Sequence, residues 1–225
     1  MIEFKNMSNE VYITDIIDEW CFNAQEFKDN LNSCGDEVTI YINSPGGDVF
    51  LGNTMANIIR ESNKKVNCVI TGLCASIATQ IAIACDNIKM YKNSLFMVHL
   101  ASCGMYGNKE ELLKQVEILD KIDNNLAQAY VDICAKHGKE VSKEDMLNFM
   151  SYETWFTADE ALNLGLIDEI IDNKVQLTAC ADIDKLHFKN IDIIKPFIIK
   201  EKKVVEDTTE QEKLELYNWL DNFKI

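Results

Sequence analysis

The sequence predicts an α/β fold in which strand and helix alternate, and three observations carry that expectation. β-Branched apolar runs recur through roughly the first hundred residues, each followed by a segment with apolar residues at helical spacing. Glycine-bearing turns stand at the joins. One much longer helical pattern follows at 109–137. Alternation of this kind implies right-handed crossovers and a largely parallel sheet.

In order, residues 11–17 are β-branched and alternate as a strand does, and 24–34 place Phe27 and Leu31 on one helical face before Gly35, read as a C-cap. Residues 38–42 form the next strand. Pro45-Gly46-Gly47 turns the chain, and 49–59 is a helix with Leu51, Met55, Ile58 and Ile59 on one face. Residues 66–70 are a strand followed by a helix at 76–85, and 88–91 and 95–99 are two further short strands. The 109–137 helix carries Leu112, Val116, Leu119, Ile122, Leu126, Tyr130 and Ile133 at helical spacing until Gly138 stops it. A stripe that long exceeds what a small domain can cover, so part of it is expected to dock on another subunit. Ser142 with Asp145 and Thr157 with Glu160 read as capping boxes, and Gly165 ends the second short helix. The body closes near Ile171. Residues 1–172 therefore read as one domain and 173–225 as an extension with strand-like stretches and an amphipathic helix near 208–223.

At 225 residues and 47% hydrophobic, the chain can bury one substantial core. A formal charge of −15 argues against nucleic acid or an anionic membrane as partner, because either would repel such a surface. The sequence has no apolar run long enough for a bilayer and no secretory leader at Met1, so the expected location is the cytoplasm. Its eight cysteines lack Cys-x-x-Cys spacing and sit mostly in apolar segments, as small buried residues of a reduced compartment do.

The chemistry concentrates at two strand-to-helix junctions, Asn-Ser-Pro-Gly-Gly-Asp-Val at 43–49 and Gly-Leu-Cys-Ala-Ser-Ile-Ala at 72–78. The first offers bare glycine amides to a ligand. The second sets Ser76 among small residues at a helix start, where free amides favour an anion. Cys74 is a rival nucleophile, since a thiolate at a helix start is easily activated, and spacing alone leaves the choice open. Three histidines compete for general base. His137 closes the long helix and reads as structural, and His187 lies in the extension. His99 ends a strand and opens a glycine-containing loop, the usual place for a functional residue in this class of fold. Nucleophile, base and oxyanion donors together are the parts of a serine hydrolase.

Four motifs in order, Ile-Asn-Ser-Pro-Gly-Gly, Gly-x-x-Ala-Ser, Met-Val-His and Glu-Thr-Trp-Phe-Thr-Ala-Asp-Glu-Ala-Leu-Asn-Leu-Gly-Leu-Ile-Asp, resemble the proteolytic subunit of the Clp protease, the ClpP family. The segment 42–171 is especially similar to the ClpP-related head-maturation proteases of tailed phages. The resemblance implies a spiral α/β architecture of the ClpP and crotonase group with a long "handle" helix, and serine-type peptide-bond hydrolysis inside a ring-shaped homo-oligomer, a heptamer or paired heptamers. By the same resemblance Ser76 matches the nucleophile, His99 the base, the Gly47 and Ile77 amides the oxyanion donors, and Glu153 the acidic third member, with Asp145 and Asp159 weaker because both are tied to helix starts. No metal or organic cofactor is implied. The N-terminus reaches its first strand within about a dozen residues, leaving little for the axial loops with which the family engages an ATP-driven unfoldase, so that partner is not expected. A non-catalytic ring or scaffold subunit, and a crotonase-like acyl-CoA enzyme using the same amides for an enolate, are the alternative readings.

Overall fold

The chain, seen in a computed structural model, is described here for residues 2–5, 9–20 and 23–172. The extension 173–225, with its expected helix and His187, lies outside the described residues. In chain order the elements are β1 (Ile2–Lys5), β2 (Glu10–Ile13), α1 (Ala24–Ser33), β3 (Glu37–Ser44), α2 (Val49–Glu61), β4 (Lys65–Ala75) and α3 (Ile77–Ala82). They continue as β5 (Asn87–Tyr91), β6 (Leu95–Val98), α4 (Lys109–Lys136), α5 (Lys143–Ser151), β7 (Thr154–Thr157), α6 (Ala158–Leu164) and β8 (Glu169–Ile171). The strands form an eight-stranded sheet ordered β1-β2-β3-β4-β5-β8, with β6 pairing β4 and β7. Pairing is parallel except between β1 and β2 and between β6 and β7.

One face of the sheet carries the core. Val38, Ile40 and Ile42 of β3, Val66, Cys68 and Ile70 of β4, and Ile88 and Met90 of β5 alternate inward and are buried, as period-two patterning demands. Met55 and Ile59 of α2 belong to the same buried core. Gly52 of α2 lies so close to Ile77 that a Cβ would overlap its side chain, and this brings α2 against the start of α3.

β4 is the strand that builds the site. Its first half pairs β5 through Asn67–Ile70, whereas its last residues, Leu73–Ala75, pair β6. Beside it the β3 register slips between Ile42 and Ser44, and the Asn43 side chain accepts from Leu73 N at 2.9 Å where the regular ladder lapses. The strand expected at 66–70 thus runs on to Ala75, which shortens the following helix to 77–82.

Other expectations shift for local reasons. Residues 14–17 leave the strand pattern, and Ile17 instead bridges Gly47. Gly35 is not a left-handed cap: Cys34 caps α1 in an extended conformation, and Gly35 N donates to Asn9 Oδ1 at 2.8 Å. A strand, β1, precedes the one read as first. Ser142 caps α5 by accepting from Asp145 N, but Asp145 accepts from the Ser142 hydroxyl and so does not close the expected box.

α4 starts at a full capping box of Asn108 and Glu111 and ends at His137, with Gly138 left-handed at φ 71°. Its second half is buried through Leu126, Tyr130 and Ile133. Its first half exposes Leu112, Leu113, Val116 and Ile118. Among the described residues, no helix is long and apolar enough to cross a membrane.

Candidate active site

Ser76 stands between the last residue of β4 and the first of α3, with φ 56° and ψ −130°. A serine in this region costs about 1–3 kcal/mol, so the surroundings must dictate the conformation. Ser76 N donates to Met97 O at 2.9 Å, and Ser76 O accepts from Thr79 N at 3.0 Å. Gly46 presses from the other side: a Cβ there would stand 2.6 Å from Ser76 Cβ and 2.7 Å from Ala75 O, which explains a glycine at φ 91°. The two glycine-bearing junctions are therefore in contact.

His99 arrives through the same ladder. Ala75 pairs Met97 in the parallel β4–β6 register, so the chain ends of both strands project together at the carboxyl edge of the sheet. His99 Nε2 lies 2.7 Å from Ser76 Oγ. For that nitrogen to accept the hydroxyl proton, the ring proton must sit on Nδ1. Two residues on, Ala101 N donates to Asp123 Oδ1 of α4 at 2.7 Å and ties the loop after His99 to the long helix.

The Gly46–Gly47 turn is fastened to residue 17. Ile17 N donates to Gly46 O at 2.8 Å and Asp48 N donates to Ile17 O at 2.6 Å, and the Gly47 amide enters neither bond. A Cβ on Gly47 would overlap the Ile17 carbonyl, and its φ of 150° suits glycine alone. The Ile77 amide lies in the first turn of α3, where helical geometry provides no acceptor.

Glu153 follows α5 and is buried at 4% exposure, with φ 52°. Leu100 N donates to Met150 O at 3.1 Å, which holds the segment after His99 beside the end of α5. Asp145 and Asp159 are exposed in the first turns of α5 and α6. Cys74 is not at a helix start: it lies inside β4, fully buried, where desolvation first and the nearby Cys85 second push its thiol well above the usual range. His137 is engaged elsewhere, with Nδ1 donating to Gly165 O at 2.7 Å and Nε2 2.9 Å from Asp168 Oδ1.

Ser76 and His99 open on a cleft of about 370 Å³, walled by the glycine turn, the 101–103 loop and the inner face of α4. Leu119, Ile122 and Leu126 give that wall an apolar lining, so Ile122 faces the cleft and belongs to no exposed stripe. Among the described residues, no group of three or more His, Cys, Asp or Glu side chains is placed to share a metal ion. Asp123 was missed from the sequence, although a carboxylate on the buried face between Leu119 and Leu126 was a readable signal. Thr79, polar in an otherwise mostly apolar helix, was another.

Residues 27–174 match the family model described as Clp protease. The chain is 33% identical over 138 residues to the ATP-dependent Clp protease proteolytic subunit of Deinococcus radiodurans, covering 60% of this chain and 65% of that protein. It is 30% identical over 140 residues to the subunit of the same name from Porphyromonas gingivalis, covering 61% of each. The matches thus span slightly less than two thirds of these relatives. Among solved structures, a mutant of ClpP1 from Listeria monocytogenes superposes with a TM-score of 0.64 at 23% identity, covering 75% of this chain and 94% of that one. That likeness establishes the ClpP fold.

Proposed function

The chain belongs to the Clp protease family, and on that premise we propose that it is a serine-type endopeptidase. The observation that carries the reading is the 2.7 Å contact between Ser76 Oγ and His99 Nε2 at a cleft floored by the glycine turn. His99 removes the hydroxyl proton as Ser76 Oγ bonds to the peptide carbonyl carbon, and then delivers that proton to the leaving amine. The Gly47 and Ile77 amides, which point no bond elsewhere in the turn or helix, receive the oxyanion. Glu153 steadies the imidazolium. Water, deprotonated by His99, then releases the acyl group and restores Ser76.

The exposed apolar half of α4 supports assembly through that helix into a closed ring, a heptamer or paired heptamers as the family likeness suggests. Confinement of the sites would admit unfolded peptides and exclude folded proteins. A cytoplasmic location and a head-maturation role in a tailed phage are the accompanying inferences from the sequence.

Fluorophosphonate labelling followed by adduct mapping tests the reading. The adduct is expected on Ser76 and is lost in Ser76→Ala but kept in Cys74→Ala. A properly assembled protein that takes no label supports the scaffold alternative, and a crotonase-like enzyme would bind acyl-CoA without needing the serine.

A further inference from the structure

The carbonyl of the strained Ser76 is held, and the holding groups belong to residues outside the serine, histidine and acid set. Thr79 offers Ser76 O its backbone amide at 3.0 Å and its hydroxyl at 2.5 Å. Thr79 Oγ1 also lies 2.5 Å from the hydroxyl of Tyr130, which comes from α4, 51 residues away. A threonine hydroxyl has one proton, and Thr79 gives it to Ser76 O, so Tyr130 is the donor in the second bond. Both side chains are buried, Thr79 at 0% and Tyr130 at 2% exposure. Burial pushes the Tyr130 phenol up to about 12, which keeps it a donor throughout the range in which a serine hydrolase works.

A threonine that bonds back to a carbonyl three residues earlier is common in helices and by itself signifies nothing. Here the acceptor belongs to the strained residue itself, and the threonine is in turn oriented by a second element. Tyr130 also lines the cleft, and Asp123, two turns earlier on α4, grips the loop after His99. α4 thereby reaches the backbone on both sides of the Ser76–His99 contact.

We propose that Thr79 and Tyr130 are positioning residues for Ser76: the relay from the Tyr130 hydroxyl through Thr79 Oγ1 to Ser76 O fixes the peptide orientation that aims Ser76 Oγ at His99. The inference rests on the serine-hydrolase reading of the same site. It extends that site into α4, whose exposed half is the surface proposed above for assembly.

The test uses the full chain with Thr79→Val, Thr79→Ser, Tyr130→Phe and the Val/Phe double variant. Acylation by a fluorophosphonate and the kcat and KM for a short peptide are read beside the thermal midpoint. Thr79→Val is expected to slow acylation and lower kcat about 10- to 100-fold with KM little changed, as misaimed groups do. Thr79→Ser, which keeps the hydroxyl, restores the rate. Tyr130→Phe acts in the same direction but less, and adding it to Thr79→Val costs nothing more, because Tyr130 acts through Thr79. Folded Thr79→Val that acylates at the unmodified rate overturns the proposal. A crystal structure of Thr79→Val decides independently of activity: the Ser76–His99 contact should open and φ of Ser76 should change, whereas an unmoved serine overturns the relay. If the unmodified chain takes no label, the hydrolase reading alone fails and the crystal structure still settles the positioning.

Discussion

The antiparallel register of β6 and β7 ends at the Val98–Thr154 pair, and His99 and Glu153 are the residues that adjoin that pair, one on each chain. The chain reaches that place by a left-handed residue after α5, where glycine or asparagine would be easier. Among the described residues only Asn9, Ser76 and Glu153 are non-glycines with positive φ, so two of the three strained positions fall at the proposed centre. Strain of this kind persists where other demands over-determine it.

Glu153→Gln keeps the shape and removes the charge that would hold the His99 tautomer. Peptide turnover is expected to fall by up to about 10⁴-fold, the cost of the equivalent change in a serine protease triad, with assembly unchanged. Peptide hydrolysis with sedimentation checks both halves, and full activity in the variant removes Glu153 from the mechanism.

The alternation of strand and helix was legible because each buried strand keeps a period of two and each helix a period near 3.6, and because glycines mark joins that no other residue fits. Ser76 and His99 could be singled out for the same reason, since both stand at strand ends. What escaped depends on partners distant in sequence. β7 is short and β1 lies at the terminus, so neither shows a period until its antiparallel neighbour is known. Gly35 looked like a cap, but its amide is claimed by Asn9, 26 residues earlier. Ile122 carries the same spacing as the exposed Leu112 and Val116, and their fates differ because only the later turns of α4 lie against the rest of the domain.

Gly47→Ala is expected to slow labelling and lower the thermal midpoint together. The added methyl has nowhere to go but the Ile17 carbonyl, so the turn must move, and with it the amide proposed for the oxyanion. Loss of one such donor costs about 10²–10³-fold in kcat. Calorimetry alongside acylation rates separates the contributions, and a variant with normal acylation would exclude Gly47 from the oxyanion site.

Asp123 predicts a pH dependence of stability. Burial raises its carboxyl above the ordinary aspartate range, and the Ala101 amide only partly offsets this. A raised folded value means the native state binds more protons than the unfolded chain, so stability falls as pH rises from the ordinary aspartate range through the folded value. Asp123→Asn keeps an acceptor for Ala101 N without a charge. Its thermal midpoint relative to the unmodified chain should therefore climb by a few degrees between pH 4 and pH 7. A constant difference across that range would contradict the buried-charge account.

Val116 is 53% exposed on the half of α4 that the domain leaves uncovered, whereas Ile122 faces the cleft. A charge at Val116 should therefore report on assembly and not on folding. In a dry contact an unpaired carboxylate is strongly unfavourable, while on a free surface it costs little. Val116→Asp is expected to keep its thermal midpoint at dilution and to sediment as smaller species than the unmodified protein at micromolar concentration. Peptide hydrolysis should fall with the loss of the assembled form, since Tyr130 and Asp123 on the same helix connect that surface to Ser76 and to the loop after His99. An unmodified chain that sediments as a monomer throughout that range would remove the ring, and confinement with it, from the proposed function.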